Sequence, residues 1–210
     1  MKHLPNTLTV SRIILIFCFV ALANFDSTPG HTTCITVGEN TAYLCHVIAL
    51  IVAFLAGVTD LLDGFLARKY HVESDFGRLM DPLADKIFIL ATFVMMLDYG
   101  MIPGWVLIMI LTREFMVTGL RTLASAKGVI ISADRWGKMK TASQMFTLAF
   151  GGAAWIGLFG LDFKDFQVVG FGGSTVSVVW NCLQYFVVLI TVGSGLQYFV
   201  KYRTLFLGSL

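Results

Sequence analysis

Four aspartates are the residues of this chain most able to do chemistry. Asp60 and Asp63 stand three residues apart, and Asp81 and Asp85 stand four apart. Either spacing puts its pair on one face of an α-helix. The polar stretch from Tyr70 to Ser74 reads as a turn, so the two helices fold back as an antiparallel pair and four carboxylates converge. Four anions cannot sit together unpaired. Either some are protonated, or cations neutralise them. No His or Cys joins the group, and all-oxygen ligation favours Mg²⁺ or Mn²⁺ over Zn²⁺. Four carboxylates have room for two such ions, which would suit a diphosphate and the oxygens exchanged in a displacement at phosphorus.

Small residues surround the acids. Gly64 and Ala67 follow Asp60 at i+4 and i+7, and Gly77 precedes Asp81 by one turn. They leave room for a ligand, or they let helices pack closely. Arg68, two turns beyond Asp60, could reach a phosphate or a carboxylate.

The elements that must position these residues are long and apolar. Of 210 residues, 57% are hydrophobic and 13% are charged, against roughly 25% charged in a soluble domain. The mean hydropathy is +0.79. These proportions exclude a water-soluble globule, a disordered tail and a nucleic-acid module. They imply an all-α integral membrane protein in a single domain over 1–210. Six stretches are candidates to span a bilayer: 7–25, 42–69, 79–98, 104–125, 137–159 and 175–200. They are too continuous and too long for barrel strands. Turn chemistry separates them, at Asp26 to Gly30, at Tyr99-Gly100 with Pro103-Gly104, and at Gly170 to Ser174.

The first stretch has the basic start, apolar run and Ala21-Leu22-Ala23 of a signal peptide. Pro5-Asn6-Thr7-Leu8-Thr9 and Arg12 argue instead for a polar interfacial segment that stays. With the N-terminus inside and six helices alternating, 14 of the 15 Lys and Arg residues fall on the inner side, and only Lys164 falls outside. The positive-inside rule then places both termini in the cytoplasm. The acids lie on that side too, in or beside spans where a carboxylate costs about 3 kcal/mol.

The run Asp60-Leu61-Leu62-Asp63-Gly64-Phe65-Leu66-Ala67-Arg68, followed by Gly77-Arg78-Leu79-Met80-Asp81-Pro82-Leu83-Ala84-Asp85, has the pattern D-x2-D-G-x2-A-R-x8-G-x3-D-x3-D. It resembles the signature of the CDP-alcohol phosphotransferase family at every signature position. The resemblance implies that an alcohol hydroxyl attacks the β-phosphorus of a CDP-linked substrate and CMP leaves. It implies Asp60, Asp63 and Asp81 as ligands of two metal ions, Mg²⁺ or Mn²⁺. Asp85 would be general base for the hydroxyl and a further metal contact. Gly64, Arg68 and Ser74, with Ala67 beside them, would meet the CDP group, and Asn6 would close over the nucleotide. It also implies a homodimer.

The second half holds basic residues on the cytoplasmic side. Arg113 and Glu114 lie inside the fourth span, and Arg121 follows Arg113 by roughly two turns. Snorkelling accounts for Lys127 and Arg135 but poorly for Arg113, two to three turns in. Glu114 is a candidate partner for a neighbouring base or helix, with no role in the chemistry assigned to it. A set comprising Arg113, Arg121, Lys138 and Lys140 suits an acceptor that carries phosphate. Thr112-Arg113-Glu114-Phe115, Gly119-Leu120-Arg121, Gly137-Lys138-Met139-Lys140-Thr141 and the opening Pro5 to Arg12 look like the phosphatidylglycerophosphate synthase branch of the family. That branch joins CDP-diacylglycerol to sn-glycerol 3-phosphate, and a bacterial inner membrane is the expected location. Inositol phosphate, serine or phosphatidylglycerol are alternative acceptors. From another class, a divalent-cation transporter would also use intramembrane acids, but it would string them across the membrane or repeat its halves. Neither pattern is present.

Weaker features complete the reading. Cys18 and Cys182 are expected in the apolar core. Cys34 and Cys45 lie near the outer face, where a disulfide is an open alternative. The four histidines have no metal-ligand spacing. Some of Trp105, Trp136, Trp155 and Trp180 are candidate interface anchors.

Overall fold

The computed structural model describes residues 4–27, 35–70, 75–129, 135–158, 166 and 175–203. Within them lie six helices: α1 Leu4–Ala23, α2 Glu39–Tyr70, α3 Asp75–Asp98, α4 Gly104–Ala126, α5 Arg135–Trp155 and α6 Thr175–Tyr202. Each answers to one apolar stretch of the sequence. Two segments, Glu39–Thr59 and Thr175–Tyr202, are long and apolar enough to cross a membrane. The helices also turn large apolar side chains outward, with Phe54 71% and Leu189 72% exposed. Apolar exposure spread along helices in this way belongs with a lipid environment rather than water.

Strands were not expected, and one short pair exists. β1 (Phe25–Asp26) and β2 (Ile35–Thr36) run parallel, with Phe25 opposite Ile35 and Asp26 opposite Thr36. Ile35 N–H donates to the Asn24 carbonyl at 2.8 Å and Val37 N–H to that of Asp26 at 2.9 Å. The polar loop after α1 thus satisfies part of its backbone by pairing with itself.

The chain divides into two compact units, Met1–Tyr99 and Gly100–Leu210. In the first, α1 packs against α2 and α3. α2 buries Ala42, Ala49, Ala53 and Ala56. At these spacings they form one stripe of small side chains, which lets neighbouring backbone approach closely. α1 contributes Ile16, Phe19 and Ala23 to the core, and α3 contributes Ala84, Phe93 and Met96. The end of this unit is tied by polar groups. Tyr99 Oη donates to the Ala23 carbonyl at 2.7 Å and lies 3.1 Å from His46 Nε2. His46 Nε2 in turn meets the Phe25 carbonyl at 2.7 Å.

In the second unit, α6 packs against both α4 and α5. It buries Ser177, Trp180, Gln184, Val187, Thr191, Ser194 and Tyr198, a stripe at spacings of three and four. Trp180 Nε1 and Gln184 Nε2 both donate to the Met101 carbonyl, at 2.8 and 3.0 Å. Trp180 is therefore a core residue, whereas Trp105 and Trp136 are exposed. α4 begins after Pro103, whose backbone is extended. It ends in a Schellman motif. Gly128, at φ +73°, lets Val129 N–H reach the Ala124 carbonyl at 2.9 Å and Gly128 N–H reach that of Ser125 at 3.0 Å.

One expectation about the cysteines changes. Cys18 and Cys182 are exposed rather than core, because each sits on the outward face of its apolar helix. Cys45 is a free thiol, and Cys34 lies outside the described residues.

Candidate functional site

The backbone carries the aspartates on two consecutive helices. Asp60 and Asp63 lie on α2 together with Gly64, Ala67 and Arg68, and Asp81 and Asp85 lie on α3. Three- and four-residue spacings on continuous helix keep each pair on one face. Asn6 lies in the first turns of α1. The side chains of these residues are outside the described set, as is Ser74 altogether. Among the residues that are described, no three His, Cys, Asp or Glu side chains come together as a metal site.

The second unit shows its polar cluster in detail. Arg113, on α4, is buried at 7% exposure. Its Nε donates to Ser194 Oγ on α6 at 3.1 Å, and Ser194 donates onward to the Thr191 carbonyl at 2.9 Å. The stem of Arg113 lies over Gly195, where an added Cβ would stand 3.0 Å from Arg113 Cγ. Glycine at 195 is what lets the arginine cross α6 so closely.

Glu114, the next residue, holds two cations. Its Oε1 is 3.5 Å from Arg113 Nη1, and the same oxygen pairs with Lys140 Nζ from α5. Neighbouring residues on a helix do not normally face one another. Here both side chains bend to one charge centre. Lys140 is itself buried, at 4% exposure.

The four basic residues expected around an acceptor phosphate therefore fall in different settings, although Arg121 stays within electrostatic reach of Arg113. Arg113 and Lys140 are joined through Glu114. Arg121 is exposed along α4, donates Nη2 to Tyr198 Oη at 2.9 Å and stands 5.5 Å over that ring. Lys138 is exposed. The split of the two lysines follows from geometry, since residues two apart on a helix are about 200° apart around its axis.

Sequence reasoning offered Glu114 a neighbouring base or helix as partner, which the two cations bear out, but it missed Ser194 and Gln144. Gln144 lies one turn after Lys140, is fully buried, and has neither amide atom hydrogen-bonded among the described residues. An acid buried inside an apolar span is a signal for a cation partner. That signal stood at Glu114, but its partner lies on another helix and no local spacing identifies it.

The comparisons with known proteins agree with the acidic signature. The family model described as CDP-alcohol phosphatidyltransferase matches residues 2–195, across both units. The chain belongs to that family. It is 34% identical over 203 residues to the CDP-diacylglycerol–glycerol-3-phosphate 3-phosphatidyltransferase of Bacillus subtilis, covering 96% of this chain and 95% of the relative. A protein of the same name from Mycoplasma pneumoniae is 38% identical over 70% of this chain and 66% of its own. Another, from Rickettsia typhi, is 29% identical over 98% of this chain and all of its own. Membership of an enzyme family sets the cation-transporter alternative aside.

Proposed function

We infer that this protein transfers the phosphatidyl group of CDP-diacylglycerol to sn-glycerol 3-phosphate, giving phosphatidylglycerophosphate and CMP in phospholipid synthesis. The observation that carries this reading is the 34% identity to a transferase of that name along nearly the whole of both chains. A buried arginine and a buried lysine, in the stretches that pointed to a phosphate-bearing acceptor, support it.

In this reading the acceptor hydroxyl oxygen bonds to the β-phosphorus. The bond from that phosphorus to the oxygen bridging to CMP breaks, and CMP departs with the electron pair. Asp85 takes the hydroxyl proton, so its carboxylate must reach the attacking oxygen. Asp60, Asp63 and Asp81, with Asp85 as a further contact, are the donors for two divalent ions. Four hard oxygen donors on two helices, without sulfur or imidazole, fit Mg²⁺ or Mn²⁺. Bound ions would neutralise the diphosphate and the charge that develops at phosphorus. Gly64 and Ala67 leave space for the CDP group, Arg68 and Ser74 bind it, and Asn6 covers the nucleotide. Arg113 and Lys140 bind the acceptor's phosphate, with Arg121 and Lys138 adding positive charge further out.

The same reading sets all six helices across a bacterial inner membrane, with both termini and the acids on the cytoplasmic side. The distribution of Lys and Arg supports it. A homodimer is part of the reading on family resemblance alone, and cross-linking in membranes checks it.

The deciding experiment offers radiolabelled CDP-diacylglycerol to the purified protein with glycerol 3-phosphate, inositol phosphate, serine or phosphatidylglycerol. Labelled phosphatidylglycerophosphate is expected with the first alone. Turnover only with another alcohol would replace the acceptor, and no CMP release with any would sink the reading.

A further inference from the structure

Two buried cations approach one another from different helices. Arg113 comes from α4 and Lys140 from α5, and each contacts the same oxygen, Glu114 Oε1. Arg113 is also fixed from its other side, by Ser194 and by the surface of Gly195. Its Nη2 edge makes no hydrogen bond among the described residues. A guanidinium presents five donors in a rigid fork, so tying Nε and Nη1 also aims the remaining edge. Lysine differs. Its ammonium is a point charge on a flexible stem, with no direction of its own.

A buried ion pair is a weak device for stability, since an apolar pair of similar volume often does as well. Here the charges are kept, one carboxylate spans two helices, and a buried guanidinium retains an unused donor edge. That arrangement suits a phosphate monoester better than a neutral alcohol.

We propose that Glu114 is the positioning residue of the acceptor-phosphate site: its Oε1 holds Lys140 and Arg113 together so that both present donors to the phosphate of the incoming alcohol. The proposal rests on the roles given above to Arg113 and Lys140. Glu114 itself accepts from both cations and has no donor for the phosphate. Its contribution is preorganisation, because without it two like charges separate and must be brought back when the acceptor binds.

The test uses the full-length protein in detergent micelles. Glu114→Gln is expected to raise KM for glycerol 3-phosphate about tenfold, with KM for CDP-diacylglycerol within about twofold of wild type and a smaller change in kcat. A merely structural ion pair would move both KM values together or move only the melting temperature. Glu114→Asp keeps the charge but draws it back by one methylene, and is expected to raise the same KM about threefold. If Glu114→Gln does not fold, the aspartate variant decides, and an unchanged KM for glycerol 3-phosphate in it overturns the proposal.

A second readout separates this proposal from the assignment of the acceptor. Inorganic phosphate is expected to raise the wild-type melting temperature and to do so much less in Glu114→Asp. Wild-type protein that gives no product with glycerol 3-phosphate would overturn the proposed function. Equal protection of wild type and variant by phosphate would overturn the role of Glu114.

Discussion

Arg113 on α4 donates its Nε to Ser194 Oγ on α6 at 3.1 Å, directly beside a glycine that leaves room for its stem. Hydrogen bond and glycine together decide where the guanidinium can point. A methyl group at 195 would meet Arg113 Cγ at 3.0 Å, a contact close to the shortest that real Cβ atoms make. Cγ lies near the backbone, so the stem must shift as a whole. Gly195→Ala is expected to raise KM for glycerol 3-phosphate about fivefold while kcat changes little, the pattern of lost ground-state binding. Steady-state kinetics with both substrates varied will check it, and a fall in kcat alone would point away from Arg113 as an acceptor ligand.

Asp85 and the other acids make separable predictions. Asparagine at 85 keeps an oxygen that can face a metal but cannot take a proton at neutral pH. Asp85→Asn is therefore expected to retain much of the divalent-ion binding and to lose about a hundredfold or more of kcat, within the usual contribution of a general base. Calorimetric titration with Mn²⁺ alongside CMP-release assays will measure the two effects. Full activity in this variant would remove Asp85 as the base.

Neutralisation of four carboxylates by divalent ions, rather than by protons, has its own test. Chelation with EDTA should abolish CMP release, and added Mg²⁺ or Mn²⁺ should restore it, because hard oxygen donors match those ions. Turnover that persists in chelator would favour protonated acids and no metal.

Much of this fold is legible from punctuation and apolar length. Pro103-Gly104 marks the start of α4, and the expected span 104–125 ends one residue before the observed Ala126. Where apolar residues run through a turn, the sequence misleads. The fifth span was expected to reach residue 159, but α5 stops at Trp155. Gly157 then takes φ +68°, although Ile156 and Leu158 on either side are as apolar as the helix. The second span was expected from residue 42, whereas α2 starts at Glu39. Its first turn is polar, and the Gly38 carbonyl accepts from Thr41 and Ala42 at 2.9 Å each. Hydropathy sees the apolar body of a helix and not a polar end.

The candidate site divides in the same way. The acid signature is a local pattern on two adjacent helices, so spacing alone exposes it. The cationic cluster depends on packing between distant segments. Lys138 and Lys140 are near-neighbours in sequence, yet one is exposed and the other pairs with Glu114. Ser194 and Gly195, 81 and 82 residues beyond Arg113, carry no motif that would name them as its neighbours.

Tyr99 closes the first unit, and its hydroxyl gives the last prediction. Tyr99 Oη donates to the carbonyl of Ala23, the final residue of α1, at 2.7 Å. Helix termini leave carbonyls without intrahelical partners, and Ala23 is fully buried. The same hydroxyl oxygen faces His46 Nε2, whose ring stands edge-on to the tyrosine at 5.7 Å between centroids. Tyr99→Phe keeps the ring and this packing but strands the Ala23 carbonyl, which costs about 1–3 kcal/mol when the group is buried. The melting temperature in detergent is expected to fall by roughly 3–10 °C, at a few degrees per kcal/mol for a chain of this size. Both KM values should stay within about twofold of wild type, since Tyr99 has no part in substrate binding here. A variant as stable as wild type would show that water or another donor already serves Ala23, and the clasp would then be a contact without consequence for the fold.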